Sequence, residues 1–258
     1  VSSDNFSNCI QMSSSPTVSN SYKTFTVTPS SSLSRTTTYK IRVTTGVKDN
    51  GAGNSLSNQY ETGTGFTTET MFLVAVGNSG TILTSSDGIT WTSRTSGTSN
   101  HFRGVNYVNN TFVAVGNSGT IVTSPDGTTW TSRTSGTSNH FWSVTYGNSI
   151  FVAVGGNAGN PQIFTSSDGT TWTERTSGAS EMLSGTTYGN SIFVTVGADG
   201  ILLTSLDGVT WTSRTSGTSN YVGSVTYANS TFIAVGDSGT ILTSSDGSSW
   251  TSRNSGTT

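Results

Sequence analysis

"TSSDGITWTSRTSG", residues 84–97, returns as "TSPDGTTWTSRTSG" at 123–136 and again at 165–178, 204–217 and 243–256. Five tryptophans mark the copies: Trp91, Trp130, Trp172, Trp211 and Trp250, separated by 39, 42, 39 and 39 residues. A fixed period near 40 residues means one supersecondary unit used repeatedly, each copy covering the apolar face of its neighbour. The longer spacing comes from three extra residues in "GGNAGNPQIF", 155–164, where other copies read like "GNSGTIV". An insertion that leaves the register intact predicts a surface turn.

One unit, 102–136, divides into "FRGVNYVNN", "TFVAVGNSG", "TIVTSPDG" and "TTWTSRTSG". Each piece is short, rich in Val, Ile, Thr, Phe and Tyr, and bounded by Gly, Asn, Ser or Asp, which is strand chemistry. The period is two: Val105 and Tyr107 share a face, as do Phe112, Ala114 and Gly116. Asp-Gly between the third and fourth pieces signals a hairpin, because glycine tolerates the positive φ of a tight turn. No segment carries a helix-length apolar stripe. Four antiparallel strands per repeat predict a β-propeller blade, and five copies predict five blades.

The "S-x-D-G-x-x-W" core resembles the Asp-box, or BNR-like, repeat of sialidase-type propellers across 71–258, with one residue fewer between Asp and Trp. In that family the box is a folding device. The resemblance implies that Asp87, Asp126, Asp168, Asp207 and Asp246 tie down turn amides and that the paired tryptophans pack between strands. Each repeat tryptophan is therefore expected to be mostly buried between blades. A residue needed in every blade is a poor candidate for a single active site.

The first 70 residues differ: they hold all three lysines, Lys23, Lys40 and Lys48, and no tryptophan. "KTFTVTPSSSLSRTTTYKIRVTTGVKDNGAGNSL", 23–56, with "YETGTGFTT", 60–68, closely resembles the C-terminal part of a bacterial Ig-like domain of S-layer and surface proteins. The chain reads as starting in mid-domain, and "VSSDNFSN" as a mature or cut start. An Ig-like sheet without its first strands has open edges that pair with other chains unless blocked. The lone Cys9 raises either a partner outside the chain or an absent segment.

The predicted fold class is therefore all-β: a partial Ig-like β-sandwich at 1–68 followed by a five-bladed β-propeller at 65–258. The overlap rests on register. Phe66 precedes Gly77 by 11 residues, as Val105 precedes Gly116, so "GFTT", 65–68, takes the place of the first strand of blade one. On that reading all blades are complete, and the ring closes by packing of blade five on blade one.

Composition bounds the chemistry. The chain has 258 residues, 9% charged, 31 glycines and a formal net charge of −2, so no basic surface invites nucleic acid or anionic membrane. Two histidines and one cysteine are too few for a zinc or iron–sulfur cluster, and no metal or cofactor is expected. No apolar run reaches the roughly 18 residues of a membrane span, and no insertion is expected. Low charge with abundant Ser, Thr, Gly and Asn fits an extracellular or surface-displayed bacterial protein.

Candidate sites lie where the repeats diverge. At the start of the first strand the aligned residues are His101, His140, Met182 and Tyr221, then Arg103, Trp142, Ser184 and Gly223. Arg103 and Trp142 could grip a sugar, the indole by stacking and the guanidinium by hydrogen bonds. His101 and His140 alone make a weak metal pair. Arg94, Arg133, Arg175, Arg214 and Arg253 recur after each tryptophan and suit a solvated rim or pairing with acids. Asp49, Asn50 and Asn54 in "KDNGAGN" could offer oxygens to calcium, but an ordinary Asx-rich turn is the stronger expectation. A sialidase would need clustered arginines outside the repeats, and Arg103 alone in the propeller fits that description. Glu61, Glu69, Glu174 and Glu181 show no catalytic grouping. The expected function is a non-enzymatic structural or interaction protein, partnered by a second copy or another surface protein. Its self-assembly would run through residues 1–70. The alternative is a carbohydrate-binding propeller with a glycan partner.

Overall fold

The computed structural model describes Ile10, residues 17–19, 24–26, Pro29, 38–43, 60–64, 66–67 and 72–256. Cys9 and the turn carrying Asp49, Asn50 and Asn54 lie outside the described residues. The chain divides into two compact units, Val1–Met71 and Phe72–Thr258. The fold is all-β, with strands joined by turns and, among the described residues, three one-turn 3₁₀ segments.

Among its described residues the first unit holds three two-stranded antiparallel ladders. Strands β1 (Thr17–Ser19) and β2 (Thr24–Thr26) pair with each other. Strand β3 (Thr38–Tyr39) is followed by β4 (Arg42–Val43), β5 (Tyr60–Glu61) and β6 (Phe66–Thr67). Here β3 pairs with β6, and β4 with β5. Ile41 and Thr62 extend the second ladder: the Thr62 amide donates to the Ile41 carbonyl at 3.0 Å, and the Ile41 amide to Thr62 Oγ1 at 3.0 Å. Arg42 Nε meets Glu61 Oε1 at 2.8 Å across it.

The second unit is a succession of blades. Blade one has β7 (Leu73–Val76), β8 (Ile82–Ser85) and β9 (Thr92–Arg94). Blade two has β10 (Phe102–Val108), β11 (Thr111–Gly116), β12 (Ile121–Ser124) and β13 (Thr131–Arg133). Blade three has β14 (Phe141–Gly147), β15 (Ile150–Asn157), β16 (Asn160–Ser166) and β17 (Thr173–Arg175). Blade four has β18 (Leu183–Gly189), β19 (Ile192–Gly197), β20 (Leu202–Ser205) and β21 (Thr212–Ser213). Blade five has β22 (Val222–Ala228), β23 (Thr231–Gly236), β24 (Ile241–Ser244) and β25 (Thr251–Arg253). Within each blade the strands pair antiparallel in chain order.

The expected shared strand is corrected. The pairing described for Phe66–Thr67 is with Thr38–Tyr39, and the described sheet of blade one has three strands rather than four. Register alone suited 65–68 to either sheet. The ladder with β3 is the one that forms. Tyr107 shows the consequence in blade two. Its equivalents Tyr188 and Tyr227 lie over Gly147 and Gly189 of the preceding inner strand. Among the described residues blade one supplies no such inner strand, and Tyr107 stays 53% exposed and leans on Phe112, with ring centroids 4.2 Å apart.

The two-residue hairpins lie between the first and second strands of a blade. Asn109–Asn110, Asn148–Ser149, Asn190–Ser191 and Asn229–Ser230 all have positive φ at both positions. That is the type I′ turn whose twist matches the flanking strands, and asparagine tolerates it best after glycine. The Asp-Gly turn is wider, with the box filling it. The insertion of blade three lengthens β15 and β16 into a longer hairpin, so the extra residues stay in the ladder.

Blades stack by a repeated rule. One face of each blade carries apolar residues from its second and third strands that face the following blade: Val74, Val76 and Ile82 in blade one, then Val113, Val115 and Ile121 in blade two. Val152, Val154 and Ile163 follow in blade three, and Val194, Val196 and Leu202 in blade four. The opposite face presents a phenylalanine, an alanine or threonine, and the repeat tryptophan to the preceding blade. The rule does not close on itself. No hydrophobic cluster among the described residues joins blade five to blade one. Among the described residues the expected packing of blade five on blade one is not seen, which leaves one face of each without a packed neighbouring blade.

Candidate functional site

The repeated box builds a closed turn. Asp87 Oδ1 accepts the amides of Ile89 and Thr90, each at 2.8 Å, and the Ser85 hydroxyl at 2.9 Å. Asp126 does the same with Thr128, Thr129 and Ser124. Asp168 takes Thr170, Thr171 and Ser166. Asp207 takes Val209, Thr210 and Ser205, and Asp246 takes Ser248, Ser249 and Ser244. Amides that donate to a carboxylate favour its charged form. The amides of Ile89 and Thr90 therefore hold Asp87 down at about 2. Those of Thr210 and Val209 hold Asp207 at about 2, and those of Ser249 and Ser248 hold Asp246 at about 2. Asp126 is lowered chiefly by the amides of Thr129 and Thr128, and Asp168 chiefly by the Thr170 hydroxyl and then the Thr171 and Thr170 amides.

The tryptophan closes the same turn from the other side. The Nε1–H of Trp130, Trp172, Trp211 and Trp250 donates to the carbonyl of Gly127, Gly169, Gly208 and Gly247, at 2.8–3.0 Å. Each of these rings packs near the phenylalanine of its own second strand, with centroids 6.1–6.4 Å apart. Burial is uneven, which corrects the expectation for the first copy. Trp172 is 9% exposed, whereas Trp91 is 40% exposed.

The repeated arginines do not pair with acids. Nε of Arg94, Arg133, Arg175, Arg214 and Arg253 donates to Oγ1 of Thr84, Thr123, Thr165, Thr204 and Thr243, at 2.8–2.9 Å. Each bond ties the outermost strand diagonally to the third. Those threonines stand in every quoted copy, immediately before the serine of the box, so the partner was readable once the pairing was known.

The divergent positions share a backbone feature that sequence patterning missed. Arg103, Trp142, Ser184 and Gly223 are the extra residues where the inner ladder skips, between Phe102 and Gly104, Phe141 and Ser143, Leu183 and Gly185, and Val222 and Ser224. A β-bulge leaves its residue unpaired and re-aims its side chain. In blades two and three this brings the two candidate residues together: the Arg103 guanidinium carbon lies 4.9 Å from the centroid of the Trp142 ring. Arg103 Nε also donates to Asn117 Oδ1 at 3.1 Å, and Trp142 Nε1 to the Gly156 carbonyl at 3.1 Å. Arg103 is exposed and Trp142 half-buried, so one indole face is taken by the arginine.

In blade four the bulge residue turns inward instead. Ser184 Oγ donates at 2.6 Å to the Val222 carbonyl of the next blade. The histidines hold turns. Nδ1 of His101 accepts the Ser79 amide at 3.2 Å, and Nδ1 of His140 accepts the Ser118 amide at 2.9 Å. Ser79 and Ser118 have φ of 53° and 54°, a left-handed conformation that the imidazoles help to hold.

Two surface depressions lie elsewhere. One, of about 340 Å³, is lined by Ile192, Thr204–Asp207 and Arg214 among others. The other, of about 470 Å³, runs along Asn160–Gln162 and Glu174–Ala179 of blade three. Neither includes Arg103 or Trp142.

Residues 2–68 match the Big_5 family of bacterial Ig-like domains, which occur in bacterial surface proteins. No curated protein matches the chain. Among solved structures the chain is similar to YCF48 bound to D1 peptide, with TM-score 0.56 and 18% identity, over 72% of this chain and 64% of that one. It is also similar to the WD40 β-propeller domain of Doa1, with TM-score 0.53 and 14% identity, over 67% of this chain and 60% of that one. At these identities the likeness is one of fold, the β-propeller. The match spans less than two thirds of either neighbour's length. No helix among the described residues is long and apolar enough to cross a membrane.

Proposed function

We propose that this chain is a non-enzymatic structural or interaction protein of the bacterial surface or secreted space, built on shortened Asp-box turns. The observation that carries this reading is how the repeated polar groups are used. Every box carboxylate accepts two amides and a hydroxyl of its own turn, and every repeated arginine is tied to a threonine of its own blade. Groups held in this way, with carboxyl pKa values pushed down, act as framework; an acid poised for proton transfer needs its pKa raised toward neutrality. The Ig-like match over 2–68 supports a surface setting. Self-assembly through residues 1–70 is part of the proposal, with partner strands adding to the short ladders of that unit. Mass measurement and electron microscopy of the native material test it. Particles larger than the 26.8 kDa chain, reduced in mass on removal of 1–70, are expected. A monomer whose first unit is protease-sensitive beside an intact propeller refutes the assembly.

A carbohydrate-binding role is the second reading. It is favoured by the bulges that bring Arg103 onto Trp142 at an exposed position. A glycan array with the wild-type chain and Trp142→Ala decides it: binding lost in the variant supports a lectin, and no binding by the wild type removes it.

A further inference from the structure

The open faces of blades five and one are unfinished copies of one interface. In blades two to four the residues facing the following blade are sealed: Val113, Val115 and Ile121, Val152, Val154 and Ile163, and Val194, Val196 and Leu202 are all 0–1% exposed. Blade five carries the same chemistry at the same register, Ile233, Val235 and Ile241, yet Ile233 is 36% and Val235 44% exposed. The first blade is open on the opposite side. The box glycines Gly127, Gly169, Gly208 and Gly247 are buried, each with a phantom Cβ within 3.3 Å of an apolar side chain on the preceding blade. Gly88 occupies that place in blade one and is exposed, and Trp91 beside it is 40% exposed. Leu73, Ala75 and Leu83 complete that face and are half-buried, where Phe112, Ala114 and Val122 of blade two are 0–5% exposed.

We propose that the open face of blade five docks the open face of blade one of a second copy of this chain, head to tail. The occupant follows from the interface the molecule already makes four times. In each case a Val/Ile face of one blade receives the aromatic, alanine or threonine, and box-glycine face of the next. The free faces are one of each kind, and none of the residues named on them is charged. Apolar area therefore meets apolar area, with no ion to desolvate. The contact is heterologous, so it generates a closed ring or an open filament according to the rotation it imposes. It goes beyond the function proposed above and uses none of residues 1–70.

The test is sedimentation or mass photometry of the full chain and two variants, Ile233→Lys and Trp91→Lys. Both positions are already solvent-touching in the single copy, so the lysine is carried without opening the core, and circular dichroism checks the fold. Head-to-tail docking predicts that the wild type assembles and that each variant alone forms smaller particles than the wild type, whatever residues 1–70 contribute. It also predicts that a mixture of the two forms larger particles than either variant alone, since each variant keeps one intact face. Val235→Lys repeats the first arm if Ile233→Lys misfolds, and Leu83→Lys repeats the second. A monomeric wild type overturns the proposal. So does a particle mass that all these variants leave unchanged; if that assembly is lost on removing 1–70, the function proposed above stands while this contact falls.

Discussion

Ile121 and Ile241 are the same side chain at the same place in two blades, the start of the third strand, facing the following blade. Ile121 is 0% exposed beneath blade three, while Ile241 is only half-buried. Replacing isoleucine by alanine removes three carbons, worth about 0.8 kcal/mol each when fully buried. The unfilled cavity raises the loss for Ile121→Ala to about 3–4 kcal/mol. For Ile241→Ala the transfer contribution is roughly halved and the gap opens to solvent, so about 1–1.5 kcal/mol is expected. Urea unfolding followed by tryptophan fluorescence, at dilutions that keep single copies, measures both against the wild type. Midpoints are compared only where the slope is unchanged, because repeat proteins lose two-state behaviour when a terminal unit unfolds alone. Equal losses at the two positions would refute the open face of blade five, since a blade must then cover Ile241. Losses below about 1 kcal/mol at both would refute the packing of the blades themselves.

Gly189→Ala places a Cβ 2.1 Å from the Tyr227 ring of the next blade. It should cost about 1–3 kcal/mol by overpacking, read as a lower thermal midpoint. The box aspartates give a pH signature. Asp87, Asp207 and Asp246 titrate at about 2 in the fold against 3.8 when unperturbed, so their folded pKa is depressed. Their contribution is complete above 3.8 and is lost as pH falls through that window toward 2. Calorimetry at stepped pH should show the thermal midpoint of the wild type falling there, with a shallower fall for Asp207→Ala; parallel curves would count against the turn's role. Trp172→Ala should cost about 3–5 kcal/mol and Trp91→Ala less than half as much, by the same unfolding assay.

Much of the propeller was legible because its repeat is printed in the chain. Alternation in "TFVAVG" marks a strand with two unlike faces, and five copies of "DG" mark five glycines with φ of 70–78°. What escaped are the features decided by competition or by summed geometry. Phe66 fits two registers, and only the fold shows that Thr38–Tyr39 takes it. Five blades can be counted, but closure depends on the angle accumulated at each stacking step, which no residue spells. The arginines looked free for acids because a diagonal reach to threonine depends on the pairing of the third and fourth strands. Arg103 and Trp142 stood out by divergence alone, and their meeting required the bulge.

That bulge lets a duplicated unit vary at one place without spoiling its frame. The residue at 103, 142, 184 or 223 sits on no rung of its ladder. Exchanging it leaves strand register and the flanking pairs untouched. Here the same slot holds a cation, an indole, a hydroxyl that ties two blades together, and no side chain at all. A chain assembled by copying thus keeps a row of separately editable positions, one per complete blade, on a scaffold whose strand pairing repeats from blade to blade.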